Sequence, residues 1–299
     1  IKECDWSSDV CSSDLSSQAN PNPAPVGMNP SALGIASDHR FLYVANKNSN
    51  TITAFAIGDL GQLSLVPQSG PNTNPVSVSG AVPEAIVISP DERFLYVVNS
   101  GSNDLTTFQI EANGLLTLVP QTAAGQNPVS TGGTVPKGIT ILPSGRFLYV
   151  ANSGSHSVAA FQIDGNGLPS LVPSVATLPN PISANSTSPN GIIASLDGRF
   201  LYTSNGGGNV TAFNIGNGGL LTVAPVSGGA VNPTPAGTNP VAVTLSSDGA
   251  FLFVANSGGT VSAYTISTAT GALTPVSPLL GNPFRAGTGP TAIATPGRP

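Results

Sequence analysis

Glu84 and Lys137 occupy the same local setting one repeat apart, Gly80-x-x-Pro83-Glu84 and Gly133-x-x-Pro136-Lys137. An ammonium can hold a polarised carbonyl oxygen and a carboxylate can take a proton from water, so the two are the candidates for catalytic work. They fit a plain salt bridge as well, because structural ion pairs are common. The residue after the opening proline is elsewhere Ser31, Asn190, Val241 and Thr291. A position that varies inside a repeated framework is where ligand contacts gather. Glu84, Lys137 and Asn190 are therefore read as ligand-binding candidates. His156 joins them as a base able to act near neutral pH, with an exposed turn residue as the other reading.

Other chemistries find little support. Cys4 and Cys11 lie together with Trp6 near the start, and no histidine or second cysteine pair completes a site there. His39 and His156 fall in different kinds of turn, so no zinc site is expected. Acidic residues are too scattered for a calcium loop, and no glycine-rich loop precedes a helix. No metal and no cofactor are expected. Charged residues make up 8% of the 299, with 14 acidic against 9 basic. No basic cluster exists to neutralise phosphates, so nucleic acid is excluded as a partner, and no run is long enough for a membrane span.

The elements that must position these residues follow from one recurring stretch. RFLYVAN at Arg146–Asn152 returns as RFLYVAN at Arg40, RFLYVVN at Arg93, RFLYTSN at Arg199 and AFLFVAN at Ala250. A fixed period near 50 marks a repeat architecture. Each unit opens with Gly-x-x-Pro (Ser186 once replaces the glycine) and a short apolar run, near 27, 80, 133, 186, 237 and 287. A turn leads to the Phe-Leu-Tyr-Val run, whose continuous apolar character fits a strand buried on both faces. An Asn/Gly turn, a third run centred on Phe55, Phe108, Phe161, Phe213 or Tyr264, and a short fourth run complete the unit. Pro- and Ser-rich linkers return the chain to the next opening. Four short antiparallel strands per unit with no helical period describe an all-β propeller.

The sequence holds five complete blades and one extra inner strand, Thr291–Pro296. The expectation is a fragment of a larger ring, six blades at least and seven with one further unit. Residues 1–18 resemble translated adapter or junction sequence and 19–26 a linker, so the native amino terminus and any export signal are expected to be missing. In this topology the residue after each opening proline points to the channel mouth, on the side of the second-to-third-strand turns. The repeated Arg40, Arg93, Arg146 and Arg199 are read as structural, bridging neighbours with packed stems.

The pattern Pro-x-x-Ile-x-x-S-x-D-G-R-F-L-Y-V-A-N, followed by N-S-G-S-x-x-V-x-x-F-x-I, resembles the lactonase-family β-propellers and the related YVTN surface-layer repeats. The resemblance spans 27–299 and implies a seven-bladed ring, often exported. Its enzymatic branch implies hydrolysis of 6-phosphogluconolactone, with an Arg-His pair after one opening proline. Carried onto Pro83, that pair falls on Glu84 and Ala85; carried onto Pro136, it falls on Lys137 and Gly138. The expectation is therefore an extracytoplasmic binding or surface module, non-catalytic in the part present. Its ligand would be a small molecule or glycan at the channel mouth. A 6-phosphogluconolactonase-like sugar-lactone hydrolase is the alternative.

Overall fold

The computed structural model describes residues 24–67, 73–122, 126–175, 177–225, 231–276 and 282–295. The segment 1–18, with Cys4, Trp6 and Cys11, lies outside the described residues, as do 19–23. The described residues form strands and turns only, arranged as five antiparallel sheets, one per blade.

Blade 1 comprises β1 (Pro30–Ile35), β2 (Phe41–Asn46), β3 (Thr51–Ile57), β4 (Leu63–Leu65) and β5 (Val76–Ser77). Blade 2 repeats this with β6 (Pro83–Ile88), β7 (Phe94–Asn99), β8 (Asp104–Ile110), β9 (Leu116–Leu118) and β10 (Val129–Ser130). Blade 3 has β11 (Pro136–Ile141), β12 (Phe147–Asn152), β13 (Ser157–Ile163), β14 (Pro169–Leu171) and β15 (Ile182–Ser183). Blade 4 has β16 (Pro189–Ala194), β17 (Phe200–Asn205), β18 (Asn209–Ile215), β19 (Leu221–Val223) and β20 (Thr234–Pro235). Blade 5 has β21 (Pro240–Leu245), β22 (Phe251–Asn256), β23 (Thr260–Ile266), β24 (Leu273–Pro275) and β25 (Phe284–Arg285). The sixth opening, 291–295, forms no ladder of its own and follows β21, where Thr295 Oγ1 donates to the Leu245 carbonyl.

The outer strand departs from the sequence reading, which ran it as one piece and left the linker irregular. It is split: β4 covers one end of β3 and β5, from the linker, covers the other. Between them the Asn74 side chain takes the place of a ladder residue. Its Oδ1 accepts from the Ala54 amide at 2.9 Å, while its Nδ2 donates to the carbonyls of Ala54 at 2.8 Å and Val66 at 2.9 Å. This is the two-way exchange of an antiparallel hydrogen-bonded pair, made by a side chain. Asn127, Asn180, Asn232 and Asn282 repeat it in the other blades, each followed by a cis-proline as Asn74 is.

The core sits between blades, in four clusters at the four junctions. Phe41, Phe94, Phe147 and Phe200 start the second strands and press their rings on the turn glycines of the next blade, Gly114, Gly167, Gly219 and Gly271. A Cβ on those glycines would lie 2.3–2.4 Å from the ring. Two residues on, the tyrosine hydroxyls of Tyr43, Tyr96, Tyr149 and Tyr202 donate to the carbonyls of the same glycines at 3.0–3.1 Å. Each arginine stacks over its phenylalanine, and Arg40 and Arg199 also donate to next-blade carbonyls, Ala112 and Thr268. The inner strands therefore line up around the axis, β1 against β6, β6 against β11, β11 against β16 and β16 against β21.

Candidate functional site

Every inner strand carries a register shift just after its opening proline: Pro30/Ala32, Pro83/Ala85, Pro136/Gly138, Pro189/Gly191 and Pro240/Ala242. The skipped residue is the variable one. A bulge re-aims its side chain, here out of the ladder and toward the axis. The residue before each proline is held at positive φ, including Val82 at 61° and Val135 at 50°. A β-branched residue tolerates that region poorly, so the conformation must be imposed by its surroundings. The Val82 amide donates to Asn50 Oδ1 at 2.7 Å and its carbonyl accepts from the Ser100 amide at 2.8 Å. Val135 is held likewise by Asn103 Oδ1 and the Ser153 amide.

The result is one cavity of about 460 Å³ at the mouth, lined by all six residues that follow the opening prolines: Ser31, Glu84, Lys137, Asn190, Val241 and Thr291. Ser153, Ser188 and Asn239 complete the lining. The convergence of the variable positions follows the sequence reading, but the ion pair differs from it. Glu84 Oε2 lies 2.7 Å from Lys47 Nζ, in the turn after β2, and Ser100 Oγ donates to it at 3.3 Å. The Glu84–Lys137 pairing gives way to Glu84–Lys47 because the residue after the second-strand asparagine reaches across the junction to the next blade's mouth residue. Ser153 repeats the contact with Asn190 at 3.3 Å. Lys137 faces the cavity exposed, and no ion pair to it forms among the described residues.

Two candidates hold structural bonds as well. The Asn190 Nδ2 donates to the Pro240 carbonyl at 3.0 Å, as Ser31 Oγ does to Pro83 at 2.8 Å, so both tie neighbouring blades at the mouth. His156 sits at φ 55° in the turn after β12, where its Nδ1 accepts from the Ser188 amide at 3.0 Å. That is the bracket that Asn50 and Asn103 supply in blades 1 and 2. His156 stands beside the mouth, not on its lining.

A larger groove of about 530 Å³ on the opposite face lies between blades 2 and 3, lined by Arg93, Arg146, Asp91, Asp164 and Tyr96 among others. Its arginines stack on Phe94 and Phe147, and its Tyr96 hydroxyl is bonded to Gly167. Those residues are the repeated framework. The residues that differ from blade to blade line the mouth instead. Among the described residues no three His, Cys, Asp or Glu side chains gather to hold a metal ion.

A family model described as "Lactonase, 7-bladed beta-propeller" matches residues 13–130, 72–185 and 166–284, overlapping as repeats do. A 6-phosphogluconolactonase of Bacillus subtilis is 34% identical over 101 residues, 33% of this chain and 27% of that protein. A 6-phosphogluconolactonase of Photorhabdus laumondii is 30% identical over 145 residues, 48% of this chain and 39% of that protein. The chain thus spans well under two thirds of these curated relatives. Among solved structures, a periplasmic gluconolactonase of Pseudomonas aeruginosa superposes with a TM-score of 0.64 at 21% identity, covering 87% of this chain and 71% of that one. At that identity the likeness speaks for the fold. The curated relatives overturn the expectation of a non-catalytic surface module, because the proteins matched in sequence are named for a lactonase activity.

Proposed function

The chain belongs to the lactonase family of seven-bladed β-propellers, and from that premise we propose that it hydrolyses sugar lactones at the channel mouth. The observation that carries the reading is the cavity itself: six blade openings converge on one space with a carboxylate, Glu84, and an ammonium, Lys137, that forms no ion pair among the described residues. Its volume lies within the roughly 300–1,000 Å³ of small-molecule sites.

In this reading Lys137 Nζ donates to the lactone carbonyl oxygen and stabilises the charge that grows there as water adds. Glu84 takes a proton from that water. Collapse of the tetrahedral adduct breaks the ring C–O bond, and the ring oxygen leaves as a hydroxyl with the proton that Glu84 returns. The aldonic acid then ionises and releases one proton to solution. Lys47, 2.7 Å from Glu84, fixes the carboxylate against the mouth.

Proton release from gluconolactone at neutral pH tests this against the spontaneous rate. Lys137→Ala and Glu84→Gln are each expected to lower kcat/KM by at least ~100-fold, the lower end for a general base or an oxyanion donor. Wild-type rates in both variants would refute the assignment.

A further inference from the structure

We infer that Asn217 is a site of spontaneous covalent modification: its side-chain amide is lost to attack by the backbone nitrogen of Gly218, leaving aspartate and isoaspartate. The sequence contains five Asn-Gly dipeptides, at Asn113, Asn166, Asn190, Asn205 and Asn217. As sequence the five are equivalent, since a glycine has no side chain to hinder attack by its own nitrogen on the residue before it. The fold separates them.

The reaction needs a free glycine nitrogen and an asparagine carboxamide able to swing onto it. Four of the five sites lack at least one of these. The nitrogens of Gly114 and Gly167 donate to the carbonyls of Glu111 at 2.8 Å and Asp164 at 3.1 Å, and both glycines are buried beneath the rings of Phe41 and Phe94. The Gly206 nitrogen donates to the Ser188 carbonyl at 2.9 Å, and Asn205 is fully buried, with its Nδ2 bonded to Asn209 and Thr211. Asn190, at the mouth, is held at both ends of its carboxamide: Oδ1 accepts from Ser153 and Nδ2 donates to the Pro240 carbonyl. The Gly191 nitrogen donates in turn to Ser204 Oγ at 3.1 Å.

Asn217 and Gly218 are both exposed. Among the described residues neither the Gly218 nitrogen nor the Asn217 side chain makes a hydrogen bond, and no atom lies within 4 Å of where a Gly218 Cβ would stand. The cause is a shift of one place in a repeated turn. The turn between the third and fourth strands is closed by a bond from its fourth residue to its first: Gly114 to Glu111, Gly167 to Asp164 and Gly219 to Gly216. In blades 2 and 3 asparagine is the third residue, so the glycine after it supplies the closing nitrogen. In blade 4 asparagine is the second residue. The glycine after it is then the third, whose nitrogen has no part in that bond.

The Gly218 nitrogen gives its proton to solvent and bonds Asn217 Cγ; the side-chain nitrogen takes a proton from solvent and leaves as ammonia, closing a cyclic imide. Water then breaks one of the two imide C–N bonds. Cleavage at Cγ gives aspartate in an unaltered chain, and cleavage at the backbone carbonyl routes the chain through Cγ as isoaspartate. One water is consumed and one ammonia released. Each product adds a carboxylate, and isoaspartate also adds a backbone atom two residues before Gly219, which seats Phe147 and accepts from Tyr149.

The test incubates the native protein at mildly alkaline pH and follows each dipeptide by tandem mass spectrometry of its peptides, reading the mass gained when an amide becomes an acid. Enzymatic methylation of isoaspartyl carboxylates gives a second readout. Asn217 should convert at least about tenfold faster than each of the other four, which must open locally before they can react. In the chain unfolded in urea the bonds and the burial are gone, and the five rates should agree within about threefold. A native rate at Asn217 no higher than at the other four, or conversion first at any of them, would overturn the inference. Retention of the tenfold lead in urea would show that sequence rather than the turn sets the rate, and would overturn the structural account as well.

Discussion

Replacing Asn127 by alanine removes a residue that stands in for a length of strand. Three bonds go at once: the Thr107 amide loses its acceptor at 2.9 Å, and the carbonyls of Thr107 and Val119 lose donors at 2.8 Å each. Asn127 is 5% exposed, so water does not readily take over these partners. A net hydrogen bond contributes about 1 kcal/mol, and a buried group left without a partner costs about 1–3 kcal/mol. Three groups at the outer edge of a blade, with some relaxation, give a loss of about 3–5 kcal/mol. That is a large share of the roughly 5–15 kcal/mol by which folded domains are stable. Urea unfolding followed by circular dichroism reads the change as a shift in midpoint, with Asn217→Ala in an exposed turn as the control, expected within about 0.5 kcal/mol of wild type. Asn127→Asp sharpens the test. It keeps the acceptor for Thr107 but turns a charged oxygen toward two carbonyls, so it should cost at least as much as alanine. A loss below about 1 kcal/mol for alanine, or a harmless aspartate, would refute the account of the split outer strand.

Gly167→Ala should destabilise by about 2–4 kcal/mol, because the new methyl would lie 2.4 Å from the Phe94 ring at a φ of 83°; a melting temperature within a degree of wild type would contradict the packing described. Burial holds the hydroxyls of Tyr43, Tyr96, Tyr149 and Tyr202 well above the usual tyrosine value and pushes that of Tyr264 up to about 12. The folded state therefore keeps protons that the unfolded chain releases near pH 10, so this contribution is full below about pH 10 and is lost as pH rises from there through the folded values. Thermal melts should be flat to about pH 9 and fall beyond about pH 10, with a shallower fall in Tyr149→Phe, and melts unchanged to pH 11.5 would overturn the assignment.

The blade and its mouth were legible because both are written once per repeat. RFLYVAN and Gly-x-x-Pro declare the second and inner strands, and the one varying residue in a fixed frame proves to be the residue the bulge expels. Lys47 was not legible that way. Lys137 is the counterpart of Glu84 one repeat on, whereas the ionic partner of Glu84 comes from the preceding blade's turn. The signal was an offset rather than a repeat: Lys47 to Glu84 is the same sequence step as Ser153 to Asn190. The outer-strand asparagines were hidden for another reason. The linkers share little beyond Asn-Pro, and a strand of two residues has no period to detect, although the dipeptide returns at Asn74, Asn127, Asn180, Asn232 and Asn282. His156 read as a possible base because its ring is reactive, while its position is that of Asn50 and Asn103, where any short acceptor serves.

One ring seated on one glycine, with one hydroxyl bonded to its carbonyl, makes the joint between blades four times over. At one end of the row Gly61 has no atom of the described residues within 4 Å of where a Cβ would stand, and at the other Phe251 is 39% exposed where its four counterparts are buried. Knob and socket are interchangeable parts, so the joint carries no address: blade 2 would accept blade 4's ring as readily as blade 1's. The order around the axis is kept by the covalent chain and by the few side chains that differ at the mouth, Lys47 against Glu84 foremost. The residues proposed to read the substrate are thus also the ones that tell one blade from another.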